Sequence, residues 1–455
     1  MDALSPPPYR QLSRQGQASH SGSELPRYTR RNTLAHPVVP REPSQHIFSL
    51  SDGRATPWLV LKISNSAKST KSLPIFHEKE NINATLELHA EKGDSSIQSV
   101  TALVRGRVIT GPRSDETVTF LTILHPIWAR SADTPRTPSP SEGANGTKLF
   151  GNCIWSFSIP LPKTVAVGKS GAQFRLPETF SERYLAASVQ YDLTIHVSRG
   201  KFRTDSQIRT PFGFVPSSKP EPPSIFRQLA YQQSMPVPGP STDPQGWKTL
   251  PTCKAKGTTL QNCPVDVRCT LSLAMPVSCL TNLLSASLHL NSSQLCYTRG
   301  SVIPCCLTLS SEDAQALDMI IASDSINVNL LRKVGYTSAP GIEKKRVAHQ
   351  DFSREFEKAN WWPSASIQSD HFNRHLEGEI RLAKDLKPTS LMDHFSISYS
   401  VVLRSFNISA LKSANSEILV SEPVDIVVAY ARGPRPIAYS PPSYDSHSRE
   451  NDHDY

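Results

Sequence analysis

Two Pro-Pro-x-Tyr tetrapeptides stand at opposite ends of the chain, Pro6-Pro7-Pro8-Tyr9 and Pro441-Pro442-Ser443-Tyr444. Their chemistry is recognition rather than reaction. A proline pair holds the backbone in polyproline II without partner contacts, so it enters an aromatic-lined groove at little entropic cost, and the tyrosine two positions on fills a second pocket. WW domains read this arrangement. With 38 prolines and 12 tyrosines in 455 residues, chance supplies about 0.08 such motifs, and two are present. The WW-binding set is therefore Pro6, Pro7 and Tyr9 with Pro441, Pro442 and Tyr444. Leu25, Pro26 and Tyr28 match the weaker Leu-Pro-x-Tyr form.

Sets that would break or make bonds do not assemble. The Gly168-Lys169-Ser170 triplet lacks the upstream glycine of a phosphate-cradling loop, position 163 being Lys163, and neither GxGxxG nor GxSxG occurs. His371 and His375 have the i, i+4 spacing of a zinc helix, but Phe372 stands where a metalloprotease has its general-base glutamate, and a strand pattern follows at once. Cys305 and Cys306 lie in an alternating apolar run that reads as a strand with packed thiols. The eight cysteines form no CxxC pair and no paired zinc spacing. The sequence predicts a protein that is not an enzyme, with no metal and no cofactor.

Two further stretches carry chemistry of regulation or contact. Thr134, Thr137 and Ser139 each precede proline beside Arg130 and Arg136, and phosphorylation there would add about −1.5 to −2 charges per site. Lys344, Lys345 and Arg346 form a short basic run suited to anionic headgroups or to a solvated loop. The net charge of +9 comes from 49 basic and 40 acidic residues, scattered rather than blocked. No RNA-recognition motif, helix-turn-helix or zinc finger accompanies it, so nucleic acid is not an expected partner. The first residues have no apolar leader and no run approaches the roughly 18 apolar residues of a membrane span, which predicts an intracellular protein.

The elements that must carry these motifs are strands. In SVQYDLTIHVS, Val189, Tyr191, Leu193, Ile195 and Val197 face one way, with Gln190, Asp192, Thr194 and His196 facing the other, the pattern of a half-buried antiparallel strand. Val100, Ala102, Val104 and Val108 repeat it, as do Cys153, Trp155, Phe157 and Ile159. Beyond a proline-rich middle it returns at Val265, Val267, Cys269, Leu271 and Leu273, at Leu376, Ile380 and Leu382, and at Phe395, Ile397, Tyr399 and Val401. Many short alternating strands broken by Gly, Pro, Ser and Asn predict sandwiches or barrels rather than βαβ units. Helical spacing is confined to SSEDAQALDMIIA, with Ser311 as N-cap and Ala314, Leu317 and Ile321 on one face, and to SIFRQLAYQQ in the middle stretch.

These patterns divide the chain into a disordered N-terminal tail (1–44), a first β-domain (45–216) with a disordered loop near 131–147, a proline-rich linker (217–246), a second β-domain (247–432) and a disordered C-terminal tail (433–455). Two β-domains in tandem, a central crossover and terminal PPxY motifs resemble the α-arrestins, in particular the arrestin-like trafficking adaptors of fungi. The likeness covers roughly residues 45 to 430 and both tails. It is greatest at Tyr191–Pro216, similar to the end of the arrestin N-terminal domain, and at Leu376–Asp445, similar to the closing strands of the C-terminal domain. The resemblance implies an all-β fold of two tandem immunoglobulin-like, arrestin-type sandwiches. It implies a non-catalytic adaptor in the cytoplasm, peripheral at plasma membrane and endosomes, which links transporter or receptor tails to a WW-domain HECT-type ubiquitin ligase and so promotes ubiquitination and endocytosis. The alternative is an arrestin-fold sorting or signalling scaffold acting without a ligase; the paired motifs argue against it. No clathrin- or adaptor-binding box is recognisable.

Overall fold

The computed structural model describes residues 44–51, 56–65, 72–90, 96–130, 149, 151–167, 171–200, 203–259, 264–276, 295–322, 325–338, 349–406, 411–413 and 418–439. They are mostly β-strand, arranged in several sheets. In the first half one sheet runs Ser44–Leu50, Leu59–Asn65, Asn81–Ala90, Gly151–Pro160, all neighbours antiparallel. A second runs Ile75–His77, Ser206–Val215, Ser188–Arg199, Ile97–Ile109, Thr117–Ala129, its first pair parallel and the rest antiparallel.

Beyond residue 246 the same order returns. One sheet runs Cys253–Thr259, Pro264–Ala274, Val302–Ser310, Asn373–Arg381, with Leu411–Ser413 and Asn360–Pro363 extending its two edges. The other runs Leu295–Thr298, Ile418–Val427, Phe395–Arg404, Val328–Thr337, His349–Lys358, again with a parallel first pair and antiparallel neighbours after it. The repeat is one of topology. Corresponding strands such as YDLTIHV and FSISYSVV share alternation but few residues, because any β-branched or aromatic side chain of suitable volume satisfies an inward position.

Inward faces follow the predicted phase. Val100, Ala102, Val104 and Val108 are buried, as are Val189 to Val197 at every second residue, Val265 to Leu273, and Phe395 to Val401. The interruption at Gly106 has a steric cause: a Cβ there would stand 2.6 Å from the Phe120 ring and 3.0 Å from the Tyr191 ring. Those rings meet edge to face at 5.6 Å and fill the volume a side chain would need. Strand residues from both halves, with the helix Ala314–Ala322 of the second, join one apolar cluster, bridged where Phe180 meets Phe395 at 5.2 Å.

Two local expectations are corrected. The polar face of Ser188–Arg199 is solvated at Gln190 and in part at His196, but not at its centre, where Asp192 is 1% and Thr194 3% exposed; neighbouring arginines cover Asp192, as described below. The second helix, Ala314–Ala322, is capped by Asp313, whose Oδ1 accepts from the Ala316 N–H at 3.0 Å. Ser311 instead donates to the Asp266 carbonyl at 3.0 Å, which ties the helix entry to the sheet. The buried face is accordingly Ala316, Leu317 and Ile320.

The 217–246 stretch contains the other helix, α1 (Ile225–Gln233). The Ser224 hydroxyl accepts from the Arg227 N–H, the N-cap bond that short helices need. Ser234 ends α1 in the left-handed region (φ 55°), the Met235 N–H returns to the Ala230 carbonyl, and Pro236 cannot continue the helix.

Candidate functional site

The predicted site residues Pro6, Pro7, Tyr9, Leu25, Pro26, Tyr28, Thr134, Thr137, Ser139, Lys344, Lys345, Arg346, Pro441, Pro442 and Tyr444 all lie outside the described residues. The structure places what adjoins the second PPxY motif. After the last long strand, Ile418–Val427, the chain continues outside helix and strand as a strap through Tyr439, bending at 428–429 and 432–434, although 433–439 reads in sequence as part of a tail. The Val428 and Ala429 N–H groups donate to the Ser218 carbonyl, joining the strap to the start of the crossover. The Tyr430 hydroxyl donates to the Gly300 carbonyl at 3.3 Å, and the Arg435 guanidinium lies 4.8 Å from the Tyr430 ring centroid.

The strap ends on two hydrogen bonds. The Tyr439 N–H donates to Glu379 Oε2 at 3.0 Å, and the Tyr439 hydroxyl donates to the Met235 carbonyl just past α1. Glu379 is 2% exposed, so its carboxylate needs such donors to offset desolvation. Burial, then Glu379, raises the Tyr439 hydroxyl's pKa. Ile437 and Tyr439 wall a cavity of about 140 Å³ with Trp247, Trp362, Cys306 and Gly378.

What holds the crossover still is a buried arginine. Arg227 is 3% exposed; it donates to the Gly246 carbonyl at 2.5 Å and to the Met275 carbonyl at 3.1 Å, and stacks 5.2 Å from the Trp247 ring centroid. Asp243 lies 3.9 Å away and accepts from the Ser224 hydroxyl. Burial is the largest influence on Arg227 and lowers its pKa, with Asp243 among the groups opposing the shift. Helix cap, charge pair and strap anchor thus share one block.

A second set joins the halves. Glu178 accepts from Arg299 and from Lys387, both at 2.9 Å, and Glu182 takes both guanidinium nitrogens of Arg332 at 2.6 Å. The even spacing of Glu178, Phe180 and Glu182 in extended backbone presents all three to the second half. Burial alone would lower the Arg332 pKa; the Glu182 pair overrides it and leaves it raised.

A third set is the covered face of Ser188–Arg199. Arg105, Arg107 and Arg209 converge on Asp192 at 3.3, 2.8 and 3.3 Å. Burial lowers the Arg107 pKa, and Asp192 opposes that. The sequence signal was an acid at the centre of a strand pattern with two arginines at i, i+2 in a neighbouring run; reading the strand as half-solvated missed it.

Reactive alternatives meet physical obstacles. His371 sits in a bend and His375 in a strand, 3.2 Å from the Thr308 hydroxyl, so the helical i, i+4 geometry does not form. Burial pushes the Cys306 thiol up to about 12 and raises Cys305 well above the ordinary thiol value, which suppresses thiolate. Among the described residues no group of three or more His, Cys, Asp or Glu side chains is arranged to hold a metal, and no helix is long and apolar enough to cross a membrane. Comparison with known proteins returns no matching family model and no matching curated relative.

Proposed function

We propose that this chain is an arrestin-type adaptor that joins membrane-protein cargo to a WW-bearing HECT-type ubiquitin ligase and works by proximity rather than catalysis. The observation that carries this reading is the pair of PPxY motifs at the two extremes of an all-β chain. The repeated strand order supports it, because two such β halves joined through a fixed crossover make a platform on which a cargo tail and a ligase are held at the same time. Two ligands on one chain raise the effective concentration of a partner with several WW domains. The ligase brings the catalytic cysteine, and the adaptor acts at the cytoplasmic face of plasma membrane and endosomes.

The test is co-precipitation of the full chain with a WW-bearing ligase. Tyr9→Ala combined with Tyr444→Ala abolishes recovery of the ligase while cargo recovery persists. Undiminished ligase binding by the double variant would remove the tails from this role.

A further inference from the structure

α1 is inverted relative to an ordinary surface helix. Its buried side holds Arg227, Ala230 and Tyr231, while Ile225, Phe226 and Leu229 are 74%, 58% and 45% exposed. At 100° per residue these three share one side of the helix. Met235, just past the C-cap, is 54% exposed as well. No other element among the described residues exposes more than one large apolar side chain. α1 is about 13 Å long at 1.5 Å per residue, and three large apolar side chains gathered on one side of it are the footprint of a partner contact rather than of scattered surface leucines.

The strap brings Tyr439, two residues before the second PPxY motif begins, to the C-terminal end of α1. A Cβ at Gly433 would lie 3.3 Å from Gln228 Oε1, and Tyr439 is bonded to the Met235 carbonyl, so the strap passes the middle of α1 and ends beyond its C-cap. Pro441 comes two residues after that anchor and Tyr444 five. At no more than about 3.6 Å per residue they lie within roughly 7 and 18 Å of it. A partner module roughly 20 Å across that grips Pro441 to Tyr444 cannot be distant from the α1 face.

We propose that the exposed face of α1 is a second contact surface for the module that reads Pro441–Tyr444. This rests on the PPxY reading above and names the partner's second foothold: an apolar surface beside its proline groove, packed on Ile225, Phe226, Leu229 and Met235. Tyr439 is a positioning residue. Its anchor fixes the chain two residues before the motif beside Met235, so a module that grips the motif meets the α1 face at high effective concentration.

The experiment is calorimetric titration of one purified WW domain from a HECT-type ligase into the full chain carrying Tyr9→Ala and Tyr28→Ala, which leaves the second motif alone. A synthetic peptide of residues 430–455 is titrated in parallel. The full chain binds about five- to tenfold more tightly than the peptide. Ile225→Ser, Phe226→Ser and Leu229→Ser together return its affinity to that of the peptide, and Tyr439→Ala, which leaves the patch and the backbone bond to Glu379 intact but removes the hydroxyl anchor at Met235, lowers it toward the peptide value. Phe226→Ser alone gives an intermediate value, and because the side chain is mostly exposed the melting temperature stays unchanged. Equal affinity for chain and peptide overturns the proposal, as does a triple variant that binds like the parent. If the triple variant loses binding to phosphatidylserine vesicles but keeps its WW affinity, the face belongs to a membrane and the proposal fails. If chain and peptide both ignore every WW domain, the adaptor reading itself falls, and this inference with it.

Discussion

Asp425 shows how a single residue ties the fold to pH. It is 7% exposed on the strand that pairs with Leu295–Thr298, and burial raises its pKa above the ordinary carboxyl value, partly offset by a hydrogen bond with Thr389. The folded state therefore holds this proton more tightly than the unfolded chain. Its contribution is fully present below the unfolded pKa and is lost as pH rises through the folded one. Asp425→Asn is expected to raise the melting temperature at pH 7 and to leave it nearly unchanged at pH 4. An equal shift at both values would mean that packing, not ionisation, governs the site. Tyr191 is the contrasting residue, fully buried with its hydroxyl donating to the Pro177 carbonyl at 2.7 Å and its pKa raised far above that of a free tyrosine by burial. Its place in the strand was legible from alternation, whereas the carbonyl that satisfies it was not.

At the scale of elements, α1 matters more than its nine residues suggest. An isolated helix of this length does not hold in water. It is held by the Ser224 cap, by Arg227 spanning to Gly246 and Met275, and by the strap. Ser224→Ala removes both the cap and a donor to buried Asp243, and is expected to cost about 1–2 kcal/mol in urea titration. A loss below about 0.3 kcal/mol would show that water replaces the hydroxyl at both partners. The helix itself was legible in SIFRQLAYQQ, but which side it buries was not, because an arginine on the buried side and phenylalanine on the exposed side invert the usual polarity rule.

For the whole molecule, the seam decides whether two β halves unfold as one. Glu178 and Glu182 each meet cations of the other half, and Phe180 packs between them against Phe395. Glu178→Ala with Glu182→Ala leaves Arg332 buried without its carboxylate, a loss of about 3 kcal/mol. Calorimetry is expected to show one transition for the parent chain and two for this variant. A single, unshifted transition would show that the apolar contact alone couples the halves.

Alternation along the chain was sufficient to determine strand phase, the all-β class and the absence of βαβ units, since a half-buried strand must place apolar side chains at every second position whatever its neighbours are. The terminal PPxY motifs are equally local, because four consecutive residues carry the whole signal. The tertiary structure alone decided which strands are neighbours, that one strand order occurs twice, that Asp192 lies beneath three arginines, and that the strap passes α1 to end at Met235. Those features join residues tens to hundreds of positions apart, and their energies depend on desolvation and partner geometry, neither of which leaves a periodic trace in the sequence.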